Sequence, residues 1–413
     1  MCEDKGKVMK KVLIIGSSKL PIPAVKGGAV PNLIENIVRS NEEKHKVDFT
    51  CLSCFDSDAV EKSKKYKYTY FEWIKTPNMI KKIDSITSYI FKKVFKISRL
   101  LSLSYFFHII WFTLKVAKHL KNNQYDKIIF EDSIPVLHSL RLYRNSKKYE
   151  GKYYFHIHTV PRKYYFNKSL LEKSNSIICI SEYVKNEIKK ATKISENKFS
   201  ILYNSVDTNL FKPLNNETII ETKNKYSIPS NKKIILFAGR ICKDKGIDHV
   251  IEAQRYLDND YILLVAGSNF YKTSIKSDFE NKLIEKNKDI LDKIKFSGYI
   301  DYSDMPELYN CSDIVVLPSM WEEPAGMTII EAMACKKPVI TTISGGIPEY
   351  TEKENCILLE RNENISFDIA ENIKRVFNDS DFRNTLSNNA YNRAVIFNLN
   401  YYYETFINII GAE

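Results

Sequence analysis

Short apolar runs, each the length of a strand and each followed by a helical pattern, recur through the second half of the chain and limit its fold more than any other feature. Ile234-Ile-Leu-Phe-Ala-Gly-Arg240, Tyr261-Ile-Leu-Leu-Val-Ala-Gly267, Ile294-Lys-Phe-Ser-Gly-Tyr299, Asp313-Ile-Val-Val-Leu-Pro-Ser319 and Pro338-Val-Ile-Thr-Thr follow one another at the pace of βαβ units. Apolar segments of this length bounded by Gly or Pro read as buried strands, and their alternation with helices implies a parallel sheet. Lys11-Val-Leu-Ile-Ile-Gly16 opens the first half in the same way. A chain of 413 residues, 44% of them hydrophobic, exceeds what one core serves, so two such α/β domains are expected. The boundary is placed between Asn204 and Pro213, giving residues 1–205, 206–390 and a terminal segment 391–413 with a helical, aromatic pattern.

Ligands of open α/β sheets collect at the carboxyl ends of the strands. Two segments carry charge there. Arg240 and Lys245 lie on the loop after the 234–239 run, where a guanidinium takes phosphate oxygens bidentately and an ammonium adds a point charge. Glu323 lies in the Pro/Gly loop after Ser319, and Glu331 follows eight positions later, one turn into a helix predicted over Met327–Cys335. The backbone N–H groups of Gly326, Met327 and Thr328 would stand free at that helix start, a site for phosphate. Taken singly, each glutamate reads as a solvated loop charge or a first-turn acid. Together they suit a ligand with two hydroxyl-rich parts.

The order Gly239-Arg240, Lys245-Gly246, Asp313 to Pro318-Ser319, Glu323-x7-Glu331-Ala-Met-Ala and Gly345-Gly346-Ile-Pro-Glu349 resembles the donor half of glycosyltransferase family 4. In the first half, Pro21-Ile-Pro-Ala-Val-Lys-Gly27-Gly28, Ile178-Cys-Ile-Ser-Glu-Tyr183 and Tyr203-Asn204-Ser-Val-Asp207 are similar to further landmarks of that family. The resemblance implies the GT-B fold: two Rossmann-like domains facing each other across a cleft, with the C-terminal helix crossing back to the first. It also implies a retaining hexosyltransferase that uses a nucleotide-diphosphate sugar, UDP-linked, and builds cell-surface polysaccharide, glycolipid or coat glycan. Ala325 departs from the bulkier aromatic common after the Glu-Pro, and Ser205 stands where Gly is common.

By this resemblance Glu331 receives ribose hydroxyls and Glu323 the hydroxyls of the donor sugar. A carboxylate accepts from two hydroxyls at once. Arg240 and Lys245 would stabilise the departing diphosphate, the dominant catalytic demand of the reaction. Backbone N–H groups at Gly27, Gly28, Gly239, Gly326, Met327 and Thr328, with Asn204, complete the donor contacts. The strand Lys152-Tyr-Tyr-Phe-His156-Ile-His158-Thr159 carries a histidine that family members place near the reacting carbon. Alternation puts His156 and His158 on one face, and His158 is preferred as nearer the carboxyl end. No Asp-x-Asp motif stands in a suitable place, so metal-independent transfer without a cofactor is expected. The alternatives are an epimerase or phosphorylase of the same fold, or a non-catalytic binding protein that kept it.

The charge is uneven. Residues 1–200 hold 38 Lys and Arg against 19 Asp and Glu, whereas residues 201–413 hold 24 against 31. Residues 61–120 concentrate the excess, 13 basic side chains against 3 acidic, interleaved with Tyr66, Tyr68, Tyr70, Phe71, Trp73, Phe91, Phe95, Phe106, Phe107 and Trp111. Such a mixture suits an anionic lipid surface. It carries no nucleic-acid motif. The longest uncharged stretch, Leu100–Leu114, has 15 residues against the roughly 20 a spanning helix needs. Peripheral contact with the inner membrane face, where a lipid-linked acceptor would be, is therefore expected. With no signal-peptide pattern, a cytoplasmic location with reduced thiols is expected. Cys51-Leu-Ser-Cys54 continues a strand-like run and reads as structural.

Overall fold

The computed structural model describes residues 9–93, 105–267 and 277–412. The chain divides into two compact units. The first comprises Met1–Ile180, Val184–Leu202 and Tyr403–Glu413, the second Ser181–Tyr183 and Tyr203–Tyr402.

The first unit is built on seven strands: β1 (Lys10–Ile15), β2 (Val47–Cys54), β3 (Thr69–Ile74), β4 (Lys127–Glu131), β5 (Tyr153–Ile157), β6 (Ser176–Cys179) and β7 (Phe199–Ile201). They pair in parallel in the order β3-β2-β1-β4-β5-β6-β7. The second unit has six: β8 (Lys233–Ala238), β9 (Tyr261–Ala266), β10 (Ile294–Gly298), β11 (Ile314–Leu317), β12 (Val339–Thr342) and β13 (Ile357–Leu359). Their order is β10-β9-β8-β11-β12-β13, again all parallel. Both sheets are thus doubly wound, and the strand order reverses between β1 and β4 in one and between β8 and β11 in the other. That reversal leaves a crevice at the strand carboxyl ends, because successive crossover helices leave for opposite faces.

The continuous apolar runs of the second half have the burial expected of strands covered on both faces. Ile234, Ile235, Leu236, Leu263, Val265, Ile314, Val315, Val316, Val339 and Ile340 are all sealed from solvent. The five strands read in this half are present, and β13 joins them at the edge. In the first half, β3, β4, β6 and β7 are strands that the sequence pattern did not mark. β3 sits inside the basic, aromatic stretch, with Phe71 and Ile74 buried. Cys51 and Cys54 are free, buried thiols within β2.

The division between units falls at Leu202/Tyr203. The terminal segment is not one helix. A helix over Ser380–Ala394 ends in a tight turn at Val395–Phe397, and a second helix spans Leu399–Ile410. Only residues from Tyr403 onward belong to the first unit. There Glu404 pairs with Lys44 and Lys46 at 2.5 and 2.6 Å, Tyr403 Oη donates to Asn41 Oδ1 at 2.6 Å, and Tyr154 Oη donates to the Ile410 carbonyl at 3.0 Å. Tyr403, Phe406, Ile407 and Ile410 are fully buried, so the last turns of the chain are part of that core.

Candidate functional site

β8 and β11 are neighbours, so the loops leaving their carboxyl ends emerge side by side at the switch point of the second sheet. The loop after β8 carries Lys245 and the loop after β11 carries Glu323. Lys245 Nζ meets Glu323 Oε2 at 2.5 Å, although 78 residues separate them. The same carboxylate oxygen accepts from Trp321 Nε1 at 2.8 Å and from Ser319 Oγ at 3.3 Å. Side-chain exposures of 25% and 14% show an ion pair that is half-sheltered yet open to a ligand. Around it, Phe237, Ala238, Leu317, Ser319, Gly326, Thr328, Ile329 and Ile347 line a small depression open to solvent.

Glycines hold these loops together. Gly246, at φ 68°, ends the turn bearing Lys245, and a Cβ there would stand 2.1 Å from the Pro318 carbonyl oxygen. Gly345, at φ 51°, lets its loop approach the Glu323 backbone; a Cβ would fall 2.3 Å from the Glu323 carbonyl oxygen. Both conformations and both approaches exclude a side chain. Gly346 N donates to the Glu323 carbonyl at 2.7 Å, and Glu323 N donates to Ser344 Oγ at 3.2 Å. Ser181 Oγ donates to the Pro324 carbonyl at 2.8 Å. Glu349 accepts from the backbone N–H groups of Glu182 and Tyr183 at 2.6 and 2.8 Å, which fixes the start of the helix Glu182–Thr192. The landmarks at 178–183 and 345–349 therefore brace the Glu323 loop.

Gly326, at φ 101°, precedes the helix Met327–Ala334, whose first turn has no side-chain cap. Its N–H groups therefore face the depression without a competing side chain. Glu331, one turn in, does not line the depression. It is buried to 4% exposure and accepts from Tyr309 Oη at 3.0 Å. Burial pushes its carboxyl up to about 8, against the opposing hydrogen bonds from Tyr309 and Tyr302. Arg240 is exposed beyond the end of β8; its carbonyl accepts from Cys242 N at 3.0 Å, and among the described residues no hydrogen bond or ion pair holds its side chain. Asn204 is buried with its N–H donating to Tyr350 Oη at 2.9 Å and its Oδ1 unpartnered, and Gly239 N donates to the Ala266 carbonyl at 3.0 Å. Of the four side chains expected to converge, the structure brings Lys245 and Glu323 together. Arg240 and Glu331 lie outside the depression.

In the first unit, Gly27 and Gly28 adopt φ 70° and 103° ahead of the helix Ala29–Lys44, which follows β1. Beside β1, β4 ends on Glu131, which the sequence analysis did not single out because β4 itself was not read. His156 and His158 share one face of β5, as their alternation predicts, and both turn toward this carboxylate. His156 Nδ1 is 3.1 Å and His158 Nε2 2.9 Å from Glu131 Oε2. All three side chains are buried, and His158 retains the most exposure, 4%. Burial alone would raise the Glu131 carboxyl, but the two imidazoles outweigh it and hold the group at about 2. Burial, reinforced by His156, lowers the His158 value, so that ring is neutral near pH 7. Asp132, at φ 49°, accepts the His158 backbone N–H at 3.1 Å.

Ligand atoms of Glu131, His156 and His158 lie within 4.8 Å of one another, a grouping that could hold a metal ion. Metal-bound histidines ordinarily donate their second N–H to a protein acceptor. Here His156 Nε2 and His158 Nδ1 have no partner, whereas the inward nitrogens already meet the carboxylate. The arrangement therefore fits a hydrogen-bonded cluster better than a metal centre.

Residues 218–393 match the family described as Glycosyl transferases group 1, and residues 83–210 match Glycosyltransferase Family 4. YtcC of Bacillus subtilis, provisionally named a glycosyltransferase, is 26% identical over 387 residues, covering 92% of this chain and 86% of its own. The Staphylococcus aureus capsular polysaccharide biosynthesis glycosyltransferase CapM is 30% identical over 255 residues, 57% of this chain and 62% of that one. The crystal structure of Anabaena HepE in complex with UDP-glucose superposes with a TM-score of 0.73 at 18% identity, over 98% of this chain and all of that one. The two Rossmann-like domains are those of the GT-B fold.

Proposed function

From a chain that joins a glycosyltransferase family 4 domain to a glycosyl transferases group 1 domain, we propose a retaining, metal-independent hexosyltransferase that draws on a UDP-linked sugar. The observation that carries this reading is the Lys245–Glu323 pair at the switch point of the second sheet, beside an uncapped helix start. A diphosphate leaving group gains negative charge as the glycosidic bond breaks. An ammonium and free backbone N–H groups at fixed positions stabilise that charge without reorganisation. Lys245 takes the phosphate, with Arg240 swinging in as a second cation. Glu323 then exchanges its lysine partner for sugar hydroxyls, while Glu331 receives the ribose hydroxyls and His158 is the group at the reacting carbon. HepE binds UDP-glucose, which supports a UDP donor.

The acceptor we propose is a lipid-linked glycan at an anionic membrane surface, in polysaccharide synthesis as the name of CapM suggests. The helix Phe106–Asn122 buries Phe112, Val116, Ala117 and Leu120 but leaves Phe106, Ile110 and Leu114 exposed along one face. With Pro135, Leu142 and Tyr165 this face lines an apolar groove that includes Lys163, and Lys115, Lys118 and Lys121 are exposed on the same helix. An apolar strip accompanied by lysines suits lipid chains below anionic headgroups. Among the described residues no helix is long and apolar enough to cross a membrane. Phe95, the whole stretch 94–104 and the side chain of Phe91 lie outside what the structure describes.

Thermal-shift measurements against nucleotides and nucleotide sugars test the donor; stabilisation by a UDP-sugar and by no other class is expected. Transfer of labelled sugar with retained configuration tests the reaction, and interconversion of the donor sugar without an acceptor would instead establish an epimerase. Co-sedimentation with vesicles tests the surface. Binding that rises with anionic lipid and falls with salt is expected, and indifference to both refutes membrane contact.

A further inference from the structure

Glu131 serves the first unit as Lys245 and Glu323 serve the second: it ends the strand that flanks the switch point, β4 beside β1. A buried carboxylate has no proton to give, so each group within hydrogen-bond distance must donate to it. His156 therefore presents Nδ1–H and His158 presents Nε2–H. A neutral imidazole that donates from Nε2 carries its lone pair on Nδ1, and His158 Nδ1 is buried without a partner. Among the described residues Asp132 also acts electrostatically on His158, but it engages the backbone N–H and makes no hydrogen bond to the ring that would select a tautomer. Cys51 on β2 is a buried thiol.

We propose that Glu131 is a positioning residue: its carboxylate holds His158 as the Nε2–H tautomer and presents Nδ1 as a hydrogen-bond acceptor to the substrate. This rests on the reading of His158 as the group at the reacting carbon. Its chemistry is that of a carboxylate behind a catalytic imidazole, where orientation and tautomer matter more than proton transfer to the acid.

The test combines NMR and kinetics. In the full chain labelled with 15N-histidine, His158 is expected to be neutral with Nδ1 unprotonated at pH 7, and assignment comes from single histidine replacements. Glu131→Gln keeps one acceptor for two donors, so the tautomer of one ring changes, and kcat is expected to fall about 10²-fold with donor KM within about 2-fold of wild type. Glu131→Asp, which keeps the charge, restores the tautomer and part of kcat, and guards against a folding defect in the glutamine variant. An imidazolium or an Nδ1–H tautomer at His158, zinc bound in stoichiometric amount, or Glu131→Gln with wild-type kcat beside an inactive His158→Ala would each overturn the proposal. His158→Ala with wild-type kcat would instead remove the catalytic reading of that histidine, leaving the tautomer measurement to decide what Glu131 holds.

Discussion

Glu331→Gln tests how deeply the second unit encloses its carboxylate. In the unfolded chain this group titrates near 4.5, and in the fold burial raises it to about 8. Between those values the unfolded state releases a proton that the folded state keeps. Its contribution to stability is therefore complete below about pH 4.5 and declines as pH rises toward 8. The slope is about 1.4 kcal/mol per pH unit, which integrates to roughly 5 kcal/mol across the window. Glutamine cannot ionise, yet its carbonyl still accepts from Tyr309 Oη, whose distance of 3.0 Å needs no adjustment. The variant should match wild type near pH 4.5 and become progressively more stable above it. Urea unfolding of both proteins at pH 5, 6.5 and 8, followed by circular dichroism, measures the difference directly, because titrations shared by the two cancel. A stability difference that does not change with pH would refute the reasoning and mean that the carboxylate is ionised in the fold.

The same group predicts a proton signature for binding. If ribose hydroxyls donate to Glu331, UDP binding favours the carboxylate and releases up to one proton at pH 7, which calorimetry in buffers of different ionisation enthalpy detects and Glu331→Gln abolishes. Lys245→Ala should lower kcat by about 10²- to 10³-fold, the usual effect of removing one fixed charge partner of the transition state, with an unchanged circular dichroism spectrum; wild-type turnover would remove Lys245 from the mechanism. Phe406→Ala empties a fully buried position where the chain returns to the first unit, and should cost about 3–5 kcal/mol in urea unfolding. Activity should persist in excess chelator, and its loss would overturn metal-independent transfer.

How much of this was legible follows the range of each signal. The strands of the second half could be read because continuous apolar runs bounded by Gly or Pro are a local pattern. β4, by contrast, has five residues and ends on an acid, β13 has three, and β3 lies in a segment whose lysines and tyrosines read as surface. Missing β4 meant missing Glu131, although the shared face of His156 and His158 was evident from alternation. Glu331 was placed at the right turn of the right helix, but its burial was not foreseen. Sequence spacing does not report that Tyr309, from the helix Met305–Cys311, packs over it.

The sequence by itself determined the parallel α/β plan, the loops that carry charge, and the glycines those loops require, since each depends on residues close along the chain. Only the tertiary structure decided which charges meet. Lys245 finds Glu323 because β8 and β11, distant in sequence, become neighbours where the order of the second sheet reverses, and Glu131 finds two histidines because β4 pairs with β5 in a register that sets it beside His156. Burial then determines the protonation of Glu331 and His158, since the cost of desolvating a charge depends on everything packed around it and not on the residues beside it in the chain.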